Sequence, residues 1–257
     1  KNTLRLKELS YIYKTIKFTN LKTVYHPSES RGYANHGWLE ARHSFSFANW
    51  YDPNRTHFGA LRVLNDDIIA PSRGFGTHPH SNMEIITIPL KGDLEHQDSM
   101  GNVEVIKEGE IQVMSAGSGV QHSEYNKNDD RPINLLQLWI FPDKQNATPR
   151  YDQQTIRDLY TQNDFFQILS PSSEDQGVWI HQNSWFHLLY TNTTVEKEYR
   201  LKDPSNGVYC FVIEGSVHIE NQTLNLRDAL GVWETDSIFI KAASQTKLLL
   251  IEVPMIF

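Results

Sequence analysis

Ten short runs of apolar or alternating residues, each bounded by turn chemistry, limit what this chain can fold into. They are Gly59–Val63, Glu84–Leu90, Val103–Ile106, Ile111–Met114, Leu135–Phe141, Trp179–His181, Val208–Ile213, Ser216–Ile219, Ser237–Ile240 and Lys247–Val253. Runs of this length and spacing predict antiparallel strands closed into a barrel or sandwich. Between them lie Lys91-Gly92-Asp93, Ser99-Met100-Gly101-Asn102, Lys107-Glu108-Gly109-Glu110 and Glu214-Gly215, where glycine can take positive φ. Helical periodicity is weak, apart from a stretch at Tyr151–Leu159 that predicts one short helix. The fold class expected is all-β.

A chain of 257 residues can hold two modest domains without disulfide staples. Pro142–Arg150 interrupts the apolar pattern with polar residues and two flanking prolines, and so predicts a linker. Each half then has about a hundred residues, an ordinary domain size. The halves also echo each other, since Ile88-Pro89-Leu90-Lys91-Gly92-Asp93-Leu94-Glu95-His96 is similar to Phe211-Val212-Ile213-Glu214-Gly215-Ser216-Val217-His218-Ile219. Internal duplication of a barrel follows. The organisation expected is a basic extension over residues 1–22, a first barrel over 23–142, a linker with a short helix over 143–165 and a second barrel over 166–257.

Charge and cysteine content narrow the function classes. The net charge of −7 divides into +5 for residues 1–22 and −12 for the rest. An acidic body gives no phosphate-binding field, so direct nucleic-acid binding is not expected, and the basic arm reads as a solvated extension. Cys210 is the single cysteine, placed in the apolar run Val208–Ile213, where a buried thiol is expected and no internal disulfide can form. No apolar run approaches the roughly 20 residues that a bilayer-spanning helix needs. The arm lacks the compact apolar centre of a leader, so a cytoplasmic protein, monomeric or homodimeric, is expected.

The chemistry is carried by two residue pairs. In Gly76-Thr77-His78-Pro79-His80 two imidazoles stand at i and i+2, and on an extended backbone both point to one face. His122-Ser123-Glu124 repeats that geometry with an imidazole and a carboxylate. Brought together inside a barrel, His78, His80, His122 and Glu124 form a set of three nitrogens and one oxygen. Such a set suits one divalent transition ion, with Fe(II) expected first and Mn, Ni, Cu or Zn also accepted; the lack of thiolates argues against a structural zinc knuckle. Four protein ligands leave room for water or substrate on the ion.

The stretch from Gly32 to Phe141 resembles the pirin family of the cupin superfamily. The resembling residues are Ala34-Asn35-His36-Gly37-Trp38-Leu39, Arg42-His43-Ser44-Phe45-Ser46-Phe47-Ala48, Leu61-Arg62-Val63-Leu64-Asn65-Asp66-Asp67, Gly74–His80 and Met114–Glu124. Set against the general cupin pattern, His78, His80 and Glu84 match the first motif, and Gly109, Gly117, His122 and Asn126 the second. Ser115 stands where proline is usual, and the gap from Gly117 to His122 is two residues longer. The resemblance implies that the metal carboxylate comes from Glu124, as in pirins, and that Glu84 either supports the site from behind or serves the fold.

It further implies a bicupin with its metal in the N-terminal barrel and the quercetin 2,3-dioxygenase activity of bacterial members. A small aromatic, flavonol-like substrate and O2 would then be the partners. Glu124 would take the proton of the flavonol 3-hydroxyl, and ring opening would release CO. The alternative the family offers is a metal-dependent, redox-sensing regulatory protein without turnover. In the second barrel Asn206-Gly207 replaces the His-x-His position, so a degenerate barrel without metal is expected there, with His181, His187 and His218 structural. His36 and His43 read as framework residues, and His96 as a residue of the pocket mouth or of a solvated strand end. Phe45, Phe47, Trp50 and Tyr51 are expected to fill core or inter-barrel space, with stacking on a flat substrate as the alternative.

Overall fold

The structure, a computed structural model, describes residues 21–257, so most of the basic extension lies outside the described residues. It is an all-β, four-layer stack. Two seven-stranded sheets lie face to face at its centre, and each is covered on its outer side by a four-stranded sheet. The inner and outer sheets of each half close a jelly-roll-like barrel.

Alternation along the strands explains the layering. In Asn206–Glu214, Val208, Cys210 and Val212 face the interior of the second barrel, whereas Tyr209, Phe211 and Ile213 face the first. In Ile133–Ile140, Leu136, Leu138 and Ile140 face the second barrel, while Leu135 turns into its own. The central sheets are thus apolar on both faces, which is why their strands read as continuous apolar runs. The largest buried cluster lies between the barrels rather than inside either, with Ile86, Leu136 and Leu138 packed among Phe186, Phe211 and Leu249.

Two strands cross the divisions expected from the sequence. Lys22–His26 pairs with Ala229–Trp233 at the edge of the second barrel's inner sheet, from Lys22 opposite Trp233 to His26 opposite Ala229. His26 Nδ1 there meets the Tyr209 hydroxyl at 2.8 Å. Arg150–Thr155, inside the expected linker, is a strand paired with Glu110–Ser115 in the first barrel's inner sheet. The helix expected over Tyr151–Leu159 is therefore replaced by this strand and a 3-10 turn at Ile156–Asp158. An open sheet edge outweighs weak helical periodicity, because pairing satisfies a row of backbone groups at once.

Candidate metal centre

The first barrel's outer sheet carries the site. Strand Val120–Asn126 lies between Gly74–His80 on one side and Leu94–Asp98 on the other. His122 stands opposite both His78 and Asp98, and Glu124 opposite both Phe75 and His96. Between these positions the register shifts, so that Gly76 and Thr77 face Ser123 alone. This bulge turns Phe75 and His78, three residues apart, to the same side.

The ring centroids of His78 and His122 are 4.4 Å apart, those of His78 and His80 4.9 Å, and those of His80 and His122 5.0 Å. One nitrogen from each of these three rings lies within 4.8 Å of the others. His96, His122 and Glu124 form a second triad at the same limit. The expected ligands thus fall into two overlapping triads sharing His122, with Glu124 on the His96 side.

These imidazoles have their lone pairs free. His78 donates Nδ1–H to the Gly76 carbonyl at 2.8 Å, which leaves Nε2 bare. His122 is buried, and neither of its ring nitrogens finds a hydrogen-bond partner among the described residues. Burial, reinforced by the neighbouring imidazoles, pulls His80 down to about 4 and His122 down to about 3. Both are therefore neutral at physiological pH, the form that ligates metal. Glu124, also buried, accepts the Gln137 Nε2–H at 2.8 Å through Oε2, and Thr87 Oγ1 approaches Oε1 at 3.5 Å. Unspent imidazole nitrogens beside a carboxylate fit a divalent transition ion.

Strand parity places Glu84 elsewhere. Ile85 and Thr87 turn toward the first barrel's interior, whereas Glu84 faces the second barrel with Ile86 and Ile88. Its carboxylate accepts Ser115 Oγ–H at 2.6 Å and a backbone N–H from His181. At the Asn206-Gly207 position of the second barrel, a Cβ on Gly207 would stand 2.6 Å from Met255 Sδ and 2.9 Å from Phe58 Cζ, so the place is taken up by inter-barrel packing.

A cavity of about 450 Å³ opens over His78, His80 and Glu124. Its walls include Trp38 edge-on to Phe75 at 5.3 Å and Phe47 edge-on to Trp139 at 5.4 Å. His43 and Asn65, joined Nδ1 to Oδ1 at 2.9 Å, form part of the far wall beside Asp67. Burial, aided by Asp66 and Glu124, pushes the Asp67 carboxyl up to about 8.

Several of these residues stand elsewhere than the sequence favoured. Phe47 lines the cavity, whereas Phe45 packs against Tyr209 between the barrels. Tyr151, placed by the strand that replaced the expected helix, lies 5.0 Å from the His96 ring. His96 is neither at a mouth nor solvated: it is fully buried, 5.3 Å from the His122 ring, with Nε2 at 3.0 Å from Asp98 Oδ2. The signal was present, since His96 and Asp98 share the i, i+2 spacing of the ligand pairs and the parity of apolar Leu94.

The comparisons with known proteins agree with this architecture. A family model described as Pirin matches residues 25–140, and one described as Quercetinase C-terminal cupin domain matches residues 167–253. An Escherichia coli K12 protein named quercetin 2,3-dioxygenase is 42% identical over 229 residues, 88% of this chain and 96% of that protein. A pirin-like protein of Caulobacter vibrioides is 38% identical over 227 residues, 88% of this chain and 97% of that protein. The crystal structure of the bacterial pirin YhhW from Escherichia coli in complex with nickel(II) superposes with a TM-score of 0.85 at 39% identity, covering 91% of this chain and 99% of that one. With the two-barrel architecture, both family models and relatives matched over nearly their whole length in agreement, this chain belongs to the pirin family.

Proposed function

We propose that the chain is a metal-dependent dioxygenase of the quercetin 2,3-dioxygenase type, opening the heterocycle of a flavonol with O2 and releasing CO. His78, His80, His122 and Glu124 would hold one divalent ion, Fe(II) first, with Mn, Ni, Cu and Zn as alternatives. The observation that carries this reading is the convergence of unspent imidazoles and a buried carboxylate beneath an aromatic-walled cavity. The name of the Escherichia coli relative supports the activity.

When bound, the ion supplies a Lewis-acidic, redox-capable position where substrate oxygen and O2 can meet. The chain supplies the rest. Paired aromatic walls hold a flat ring system and keep water away from it, and the cavity volume lies within the roughly 300–1,000 Å³ of ordinary small-molecule sites. Gln137 anchors one oxygen of Glu124, which leaves Oε1, approached only at long range by Thr87, to take the proton of the flavonol 3-hydroxyl.

The test is O2 uptake and CO release from quercetin by protein reconstituted in turn with Fe(II), Mn(II), Ni(II), Cu(II) and Zn(II). Turnover with at least one metal is expected, lost with the metal in His80→Ala and lowered about 10²–10⁴-fold in Glu124→Gln. Stoichiometric metal binding without turnover under every condition would overturn the dioxygenase reading and favour a regulatory protein that senses metal state.

A further inference from the structure

Three buried nitrogens of the cluster stand without a hydrogen-bond partner among the described residues: both ring nitrogens of His122 and Nδ1 of His96. Buried polar groups are almost always satisfied, so two orphans on one ring require an account. An ion on His122 settles one of them. The other must then carry the ring proton, because a neutral imidazole whose lone pair is given to a metal keeps its hydrogen on the second nitrogen. That N–H needs an acceptor.

His96 is built to be one. Asp98 Oδ2 can only accept from His96 Nε2 at 3.0 Å, so Nε2 carries a proton, and in that tautomer of an uncharged imidazole Nδ1 is a bare lone pair. Asp98 is itself immobilised, receiving Asn102 Nδ2–H at 2.8 Å and the backbone N–H groups of Met100 and Asn102 at 2.9 and 3.1 Å. Tyr151 closes the site from the side, with its ring 5.0 Å from that of His96. The His96 and His122 rings are 5.3 Å apart and tilted by 51°, and one nitrogen of each lies within 4.8 Å of the other, a gap that the hydrogen bond must shorten to about 3 Å.

We infer that His96 is the positioning residue of the metal centre. With an ion on one nitrogen of His122, the other donates its hydrogen bond to His96 Nδ1 and completes a fixed chain from Asp98 through His96 to His122. All three orphaned nitrogens are satisfied by one ion and one hydrogen bond. Such outer contacts set the tautomer and orientation of a ligating histidine and strengthen its donor character. The inference rests on the reading of His122 as a ligand.

The test uses Zn(II) alone as the probe, with calorimetric titration of the wild type and of His96→Leu, His96→Asn, His80→Ala and His122→Ala. Nitrogen-15 imidazole spectra of the Zn(II)-loaded wild type complete it. His96→Leu should weaken Zn(II) binding about 10–100-fold at an unchanged stoichiometry. His96→Asn, whose amide oxygen can take the place of Nδ1, should recover most of the loss. In the wild type, a coupling across the hydrogen bond should join the His122 N–H to His96 Nδ1, and this spectrum stands even if the leucine variant fails to fold. Absence of that coupling, or a zinc-bound shift at His96 Nδ1, overturns the inference. So does wild-type affinity in His96→Leu beside weakened binding in His80→Ala and His122→Ala. Unchanged affinity in His80→Ala and His122→Ala as well would instead remove the metal reading, and this inference with it.

Discussion

Glu84 and Glu124 are both buried glutamates near one metal motif, and their surroundings assign them different work. Glu124 faces the cavity beside Gln137 and His122, whereas Glu84 sits between the barrels against Ser115. Burial pushes the Glu84 carboxyl from 4.5 up to about 7, although the Ser115 hydrogen bond and Arg150 pull it back. Unfolding releases that proton at the ordinary carboxylate pKa, so between about pH 4.5 and 7 the unfolded state binds fewer protons than the folded one. Glu84 therefore stabilises the fold most below that window and loses the contribution as pH rises through it. Glu84→Gln keeps the shape and an acceptor for Ser115 without the ionisation. Its stability relative to wild type should improve between pH 5 and 7.5 by about 2 kcal/mol, read by urea unfolding, with metal stoichiometry unchanged. Loss of metal in this variant would return Glu84 to the ligand set.

At the scale of the element, the strand Gly74–His80 depends on a glycine that no side chain can replace. A Cβ on Gly74 would lie 2.0 Å from the Glu124 carbonyl oxygen and 2.5 Å from Tyr125 Cα, both backbone atoms that cannot swing aside. Gly74→Ala should therefore push the His78–His80 strand off the His122–Glu124 strand. The expected cost is about 1–3 kcal/mol of stability, together with at least a tenfold loss of Zn(II) affinity. Gly76→Ala, whose Cβ would meet nothing nearer than Tyr125 Oη at 3.9 Å, should leave both near wild type in the same titration. This neighbourhood also marks how far the sequence could be read. The i, i+2 pairs were visible because extended backbone has a fixed parity, but the bulge that turns Phe75 toward the cavity alters that parity locally and left no mark. Strands buried on both faces, such as Lys247–Pro254, stood out as apolar runs. Phe165–Ser170 and Trp185–Tyr190 were missed, each apolar run being cut short by one polar residue, Gln167 and His187. Arg150–Thr155 was misread because its partner, Glu110–Ser115, lies far back in the chain, and a local pattern cannot register an open edge.

The whole molecule is less divisible than its duplicated sequence suggests. Two barrels joined by a linker predict two units that unfold separately, but the main apolar cluster is shared between them, and Lys22–His26 is paired into the opposite barrel. Polar contacts cross the same boundary: Arg227 of the second barrel places Nε 3.3 Å from Asp66 Oδ2 and donates Nη2–H to Asn134 Oδ1 at 3.1 Å, both on the first barrel's inner sheet. Phe58 fits between Tyr209 at 5.4 Å and Trp233 at 5.9 Å, so each half completes the other's packing. Separating the barrels would expose Leu136, Leu138, Phe186 and Phe211 to water, at about 1.5–3 kcal/mol for each side chain. Stability gained inside one barrel is therefore spent if the other opens, which couples the two. Calorimetry should give one transition whose van't Hoff and calorimetric enthalpies agree, and a fragment covering residues 21–145 should show no cooperative melt. Two resolved transitions, or a fragment that melts cooperatively by itself, would mean that the shared core is too weak to couple the barrels and that the first holds its His78–His80 and His122–Glu124 strands in place alone.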